Sequence, residues 1–228
     1  MRIKPLIILF VVTLIAISCE VDNDVPLNND TALAPLVQYE VKFTGMWNAT
    51  THPTDFPVGA HFSKMFVTTH NNTSVLFEID SLASPAVEEM AETGETVLLM
   101  SDFDAHITNN RAHAYMVGVD ITSEGEDVVT IEATPEFSLL SFVSMIAPSP
   151  DWFVGVEDVN LINSNNEWIE ETEIFLESYD AGTDSGTTFT SPDMNTVPQD
   201  SIKAIIDAPL GNGTNVNPAV AKITITKM

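Results

Sequence analysis

The sequence has a single cysteine, Cys19, so no intrachain disulfide can staple the fold. It is nearly as poor in positive charge. Only 8 Lys and Arg stand against 33 Asp and Glu, a formal net charge of -25 in 228 residues. A field of that sign repels phosphate backbones and anionic headgroups, which excludes nucleic-acid binding and favours cations, basic partners or a calcium-containing medium. Long apolar runs are missing too: the stretch from Leu6 to Ile17, broken by Thr13, falls short of the about 20 residues a spanning helix needs. HExxH and GxSxG, the short signatures of zinc and serine hydrolases, are absent. Apolar residues themselves are not scarce. At 44% they exclude wholesale disorder, and core burial, a bound metal, or both must supply the stability.

The first residues carry a targeting pattern. Arg2 and Lys4 precede the apolar run, and Ser18-Cys19 closes it. A basic start and a short apolar core read as a secretory signal over residues 1–18. A small residue before a lone cysteine resembles the lipobox of bacterial lipoproteins, in which the cysteine is lipidated and becomes the first mature residue. Lipidation at Cys19 would anchor the chain and remove an unpaired exported thiol; the bland alternative is an ordinary signal with a cysteine near the cut. Residues 19–36, acidic and broken by Pro26, read as a flexible tether. Their acidic start also resembles the surface-export signals of some Gram-negative lipoproteins, and a solvated linker explains it equally well. The expectation is an exported outer-membrane lipoprotein, facing the periplasm or the cell surface, that meets the membrane only through its anchor.

From Val37 the pattern changes. Val37, Tyr39, Val41 and Phe43 alternate with Gln38, Glu40, Lys42 and Thr44, the period-two signature of a half-buried strand. Similar runs follow at Phe62–Thr69, Ser74–Ile79, Thr96–Met100, Ala114–Val119, Val128–Glu132 and Leu139–Ile146. Val154–Val156, Glu173–Leu176 and Ala219–Thr226 complete the set, with Asn, Asp, Gly and Pro in nearly every gap. Only Pro85–Thr93 reads as a helix, with Ser84 to cap it and Gly94 to end it. The spacing predicts an all-β antiparallel sandwich with one short helix, forming a single domain over residues 37–228.

Two loops carry the chemistry. In Pro148-Ser149-Pro150-Asp151 the prolines hold Asp151 at the end of a stiff turn, and Trp152 and Phe153 return to the core. Tyr179-Asp180-Ala181-Gly182-Thr183-Asp184-Ser185-Gly186 has little bulk after the tyrosine, so it can turn tightly and aim carboxylates and carbonyls at one point. Converging hard oxygen ligands suit Ca²⁺, which takes 6–8 of them. Asx-turn hydrogen bonds explain the same aspartates without any ion.

Those two loops, with Trp168 between them, resemble the spondin N-terminal domain found in F-spondin, mindin and bacterial surface proteins. Supporting matches run from Phe43-Thr44-Gly45-Met46-Trp47 through His61-Phe62-Ser63 and His70-Asn71 to Phe189-Thr190-Ser191-Pro192 and Pro198-Gln199-Asp200. The resemblance spans roughly residues 38–206. It implies a sandwich similar to C2 domains, with calcium held by aspartates matching Asp151, Asp180 and Asp184. It also implies non-catalytic adhesion or recognition outside the cell, directed at a protein or glycan. The family's cysteines are absent, with Ile162 near one such position, so its disulfide cannot form.

A cell-envelope hydrolase acting on carbohydrate or lipid is the competing expectation. It would need a deep pocket with paired titratable groups. The histidines His52, His61, His70, His106 and His113 lack the spacing of a metal or nucleophile motif and read as structural. Glu88, Glu89, Glu92 and Glu95 read as a solvated helix face.

Overall fold

A computed structural model describes residues 33–228. The signal segment, Cys19 and residues 19–32 of the tether lie outside the described residues. The elements run β1 (Val37–Gly45), β2 (His61–Phe62), β3 (Phe66–His70), α1 (Pro85–Thr93), α2 (Val97–Thr108), β4 (Ala112–Val117) and β5 (Ile121–Thr122), then β6 (Glu126–Ala133), β7 (Leu139–Ala147), β8 (Trp152–Asn160), β9 (Glu171–Phe175), β10 (Glu177–Asp180), β11 (Lys203–Ala204) and β12 (Ala221–Lys227).

Two antiparallel sheets form a β-sandwich. One has the order β6-β1-β12-β9. The other has eight strands, with β11-β10-β8-β7 leading to β2-β5 and to the pair β3 and β4. Alternation decides the first sheet: Tyr39, Val41 and Phe43 of β1, with Ile223 and Ile225 of β12, point into the sandwich, while Lys42, Thr44 and Thr224 line its outer face. Antiparallel sheets permit one wet face in this way. Chain order around the core begins before β1. Leu33 packs against the sandwich core, and the Ala34 carbonyl accepts the Trp168 indole N–H at 3.1 Å.

Strand β7 behaves differently, because both of its faces are covered. Leu140, Phe142 and Ile146 face the sandwich, while Val143, Met145 and Ala147 belong to a second core beneath α1 and α2. Its buried serines are satisfied. Ser144 Oγ donates to the Ser63 carbonyl at 2.8 Å, and Ser141 Oγ accepts from the Asp158 amide at 3.0 Å and pairs with His70 Nε2 at 2.8 Å.

Three expectations are corrected. The described residues hold two helices rather than one: the apolar run expected as a strand at Thr96–Met100 opens α2, whose buried Leu99 and Phe103 sit four residues apart. A short apolar run cannot declare its own period, and the dry outer face of the second sheet selects the helix. Ser74–Ile79 is loop, with Leu76 and Phe77 both buried between exposed Val75 and Ile79. There the Glu157 carboxylate accepts the Phe77 amide at 2.6 Å, in place of a ladder partner. Phe62–Thr69 splits into β2 and β3 because Ser63 turns its Oγ to the Met145 amide at 2.9 Å.

Candidate metal site

The predicted aspartates lie where β8 and β10 meet. These strands pair antiparallel with Asp180 opposite Trp152, so the start of one and the end of the other are fixed side by side. Asp151 precedes β8. Ser149 Oγ accepts the Trp152 amide at 3.1 Å and closes the turn that presents it. Asp180 ends β10, and the chain then bends at Gly182, whose φ of +75° belongs to the left-handed region. A Cβ there would sit 2.5 Å from the Asp200 carbonyl oxygen, so only glycine lets the loop close.

Asp151 is fully buried. Its Oδ2 accepts three hydrogen bonds: from the Thr183 amide at 2.8 Å, the Thr183 hydroxyl at 3.3 Å and the Asp184 amide at 3.1 Å. Its Oδ1 is buried with no protein partner. Desolvation pushes this carboxyl up to about 6, and the nearby Asp180 charge adds to the effect, against the pull of the Asp184 and Thr183 donors. Burial also raises Asp180, while the Gly182 amide, 2.9 Å from its Oδ1, the Trp152 side chain and the Lys203 ammonium draw it back. The structure therefore brings Asp151 and Asp180 together as two desolvated carboxylates that repel each other.

Asp184 is placed differently. Its backbone serves Asp151, while its own Oδ1 and Oδ2 accept the Gly186 and Met194 amides, each at 2.6 Å. Among the described residues no three His, Cys, Asp or Glu side chains form a ready-made metal cage. The donor set nonetheless fits a hard cation. An orphaned buried carboxylate oxygen near a second carboxylate is an acceptor that a cation can satisfy, and each Asp184 oxygen keeps a second acceptor site.

Glu92, expected on a solvated helix face, instead forms a wall of this region. With Asp184, Asp193, Ser149 and Ser191 it lines a cleft of about 170 Å³. Burial raises its carboxyl, as do Glu88, Asp193 and Asp184, while the Thr183 hydroxyl opposes the rise. No local spacing could reveal this, since α1 and the two loops are remote in the chain and meet only in the fold.

Four of the histidines are held by ordinary hydrogen bonds, and His113 stacks on Phe137. Desolvation lowers buried His70, which is held by Ser141 as above, and His61 donates from Nδ1 to the Gly59 carbonyl at 2.7 Å. His106 pairs through Nδ1 with Ser74 Oγ at 2.7 Å, but Ser74 is buried, and Asp102 makes no ion pair with the ring.

The Spondin_N family model matches residues 37–213. The chain belongs to the Spondin_N family. Relatives include Spondin-2 of Rattus norvegicus, 32% identical over 207 residues and 85% of this chain, and Spondin-2 of Homo sapiens, 32% identical over 206 residues. Spondin-1 of Gallus gallus is 32% identical over 189 residues. The chain spans 62% of the Spondin-2 sequences and 23% of that Spondin-1. Among the described residues, no helix is long and apolar enough to cross a membrane.

Proposed function

We propose that this Spondin_N chain is an exported, lipid-anchored, calcium-binding module for adhesion or recognition, without catalytic chemistry of its own. The observation that carries the metal reading is Asp151 Oδ1, buried without a donor beside Asp180. Asp151 and Asp180 would hold the ion, with Asp184 as the third carboxylate. Bound Ca²⁺ would supply the missing positive charge and tie the 148–151 turn to the 180–186 loop.

Adhesion or recognition of an extracellular protein or glycan follows from family membership and from the placement of this site on loops, where binding residues concentrate. Anchoring through Cys19 in an outer membrane, on the periplasmic or surface side, is the reading of the N-terminal sequence. Mass spectrometry of the exported protein, showing a diacylated Cys19 as its first residue, tests the anchor.

Calorimetric titration with CaCl₂ and thermal melts with and without a chelator test the metal. The unfolded chain has no preformed site, so bound calcium raises the melting temperature by mass action, and chelation lowers it. Asp184→Ala and Asp151→Asn abolish that difference. A melting curve indifferent to calcium, together with no calorimetric binding, overturns the reading.

A further inference from the structure

A second site lies away from the metal loops. Between the 75–84 loop and α2 there is a cleft of about 260 Å³. Its floor is apolar and buried: Phe77, Leu99 and Phe103 are each less than 5% exposed. Phe77 is held down by the Glu157 carboxylate on its amide and by edge-on contact with Phe153 at 5.2 Å between centroids. The mouth is apolar as well, with Leu82 61% exposed and Val75 54% exposed. Glu78 and Asp102 stand on the lining, which contains no Lys or Arg. Burial lowers the pKa of His106 on the lining, with Arg111 adding to the effect, but the Arg111 guanidinium is turned onto the Thr73 carbonyl.

We propose that this cleft docks a basic, leucine- or isoleucine-bearing segment of a protein partner, one aliphatic side chain entering between Leu82 and α2 while flanking Lys or Arg meet Asp102 and Glu78. Size argues for a side-chain anchor, because the cleft is smaller than the about 300–1,000 Å³ of pockets that enclose whole small molecules. Exposed aliphatics around a dry floor are what an anchor residue buries, and anchors of this kind carry most of an interface's affinity. Charge selects the occupant. A second copy would bring another net charge of -25 to an acidic rim, and an anionic lipid surface would meet the same repulsion. A basic segment is drawn in. The proposal does not depend on the metal reading.

The test uses fluorescence anisotropy on the exported chain at physiological ionic strength, with a dye-labelled amphipathic Leu/Lys peptide as the probe. A Ser/Lys peptide of equal charge, a Leu/Glu peptide and phosphatidylglycerol vesicles are the comparisons. The Leu/Lys peptide binds at least about tenfold more tightly than the Ser/Lys peptide, and neither the Leu/Glu peptide nor the vesicles bind. Leu82→Ser and Val75→Ser, both at exposed positions, each weaken binding several-fold without moving the melting temperature. Asp102→Asn weakens it and flattens its salt dependence. Val128→Ser, at an exposed position on β6, changes nothing. Equal binding of the two Lys peptides, indifference to both cleft substitutions, or preference for the vesicles overturns the proposal.

Discussion

At the scale of single residues, a few desolvated carboxylates set how this molecule responds to pH. Glu157 sits on β8 under the 75–79 loop and accepts the Phe77 amide. Desolvation, with smaller contributions from Asp158 and Glu78, pushes its carboxyl up to about 7, although the Phe77 and Leu76 amides pull the other way. The folded chain therefore holds this proton more tightly than the unfolded chain. The resulting stability is complete below the ordinary glutamate value and is lost as pH rises through about 7. Glu157→Gln keeps an acceptor for Phe77 and cannot ionise. Its urea denaturation midpoint is therefore expected to fall less than the parent's between pH of about 5 and about 8, the raised Asp151 carboxyl giving both proteins a shared part of the decline.

Elements depend on what covers them. In α1 the cap is local: Ser84 Oγ accepts the Val87 amide at 3.3 Å, and Gly94 closes the helix in the left-handed region. That helix was legible in the sequence because its signals lie within its own residues. Helix α2 has no side-chain cap of its own; its Leu98 amide is met by Glu89 of α1 at 2.8 Å, and its apolar stripe is Leu99, Phe103 and the partly buried Ile107. Nothing within Thr96–Met100 distinguishes it from a strand, so its identity comes from its neighbours. Removing the stripe should expose this dependence. Phe103→Ala, which loses its contact with Phe66 at 5.2 Å between centroids, is expected to cost about 3 to 5 kcal/mol in chemical denaturation. Met100→Ala, at an exposed position of the same helix, should cost less than about 0.5 kcal/mol.

For the whole molecule, the excess of acid sets the behaviour. Few cations offset it. Lys42 pairs with Glu126 at 2.9 Å, Lys222 with Glu173 at 2.7 Å and Lys227 with Glu170, all on the outer face or edge of the four-stranded sheet. Such exposed pairs contribute little stability individually. Self-repulsion at a net charge of -25 should make the fold salt-sensitive, so raising NaCl from about 0.02 M to about 0.5 M is expected to raise the melting temperature by several degrees. A calcium increment that persists at the high-salt end separates a bound ion from general screening, because a buried site is screened far less than the surface.

Local pattern was enough for much of this protein. The alternation of Val37–Thr44 determined β1, and the caps of Pro85–Thr93 determined α1. The Pro-Asp-Trp-Phe turn and the Asp180–Asp184 loop marked the two strands whose ends meet. Each of these is a short-range statement, set by backbone sterics and by which side chains shun water. Tertiary structure decided what depends on partners remote in the chain. It made α2 a helix, because a dry sheet face needed cover. It left Ser74–Ile79 without a strand, because a carboxylate eighty residues away satisfied Phe77. It left Asp151 with a bare oxygen and turned the Asp184 carboxylate onto its own loop, because burial and hydrogen-bond supply are properties of a place in space.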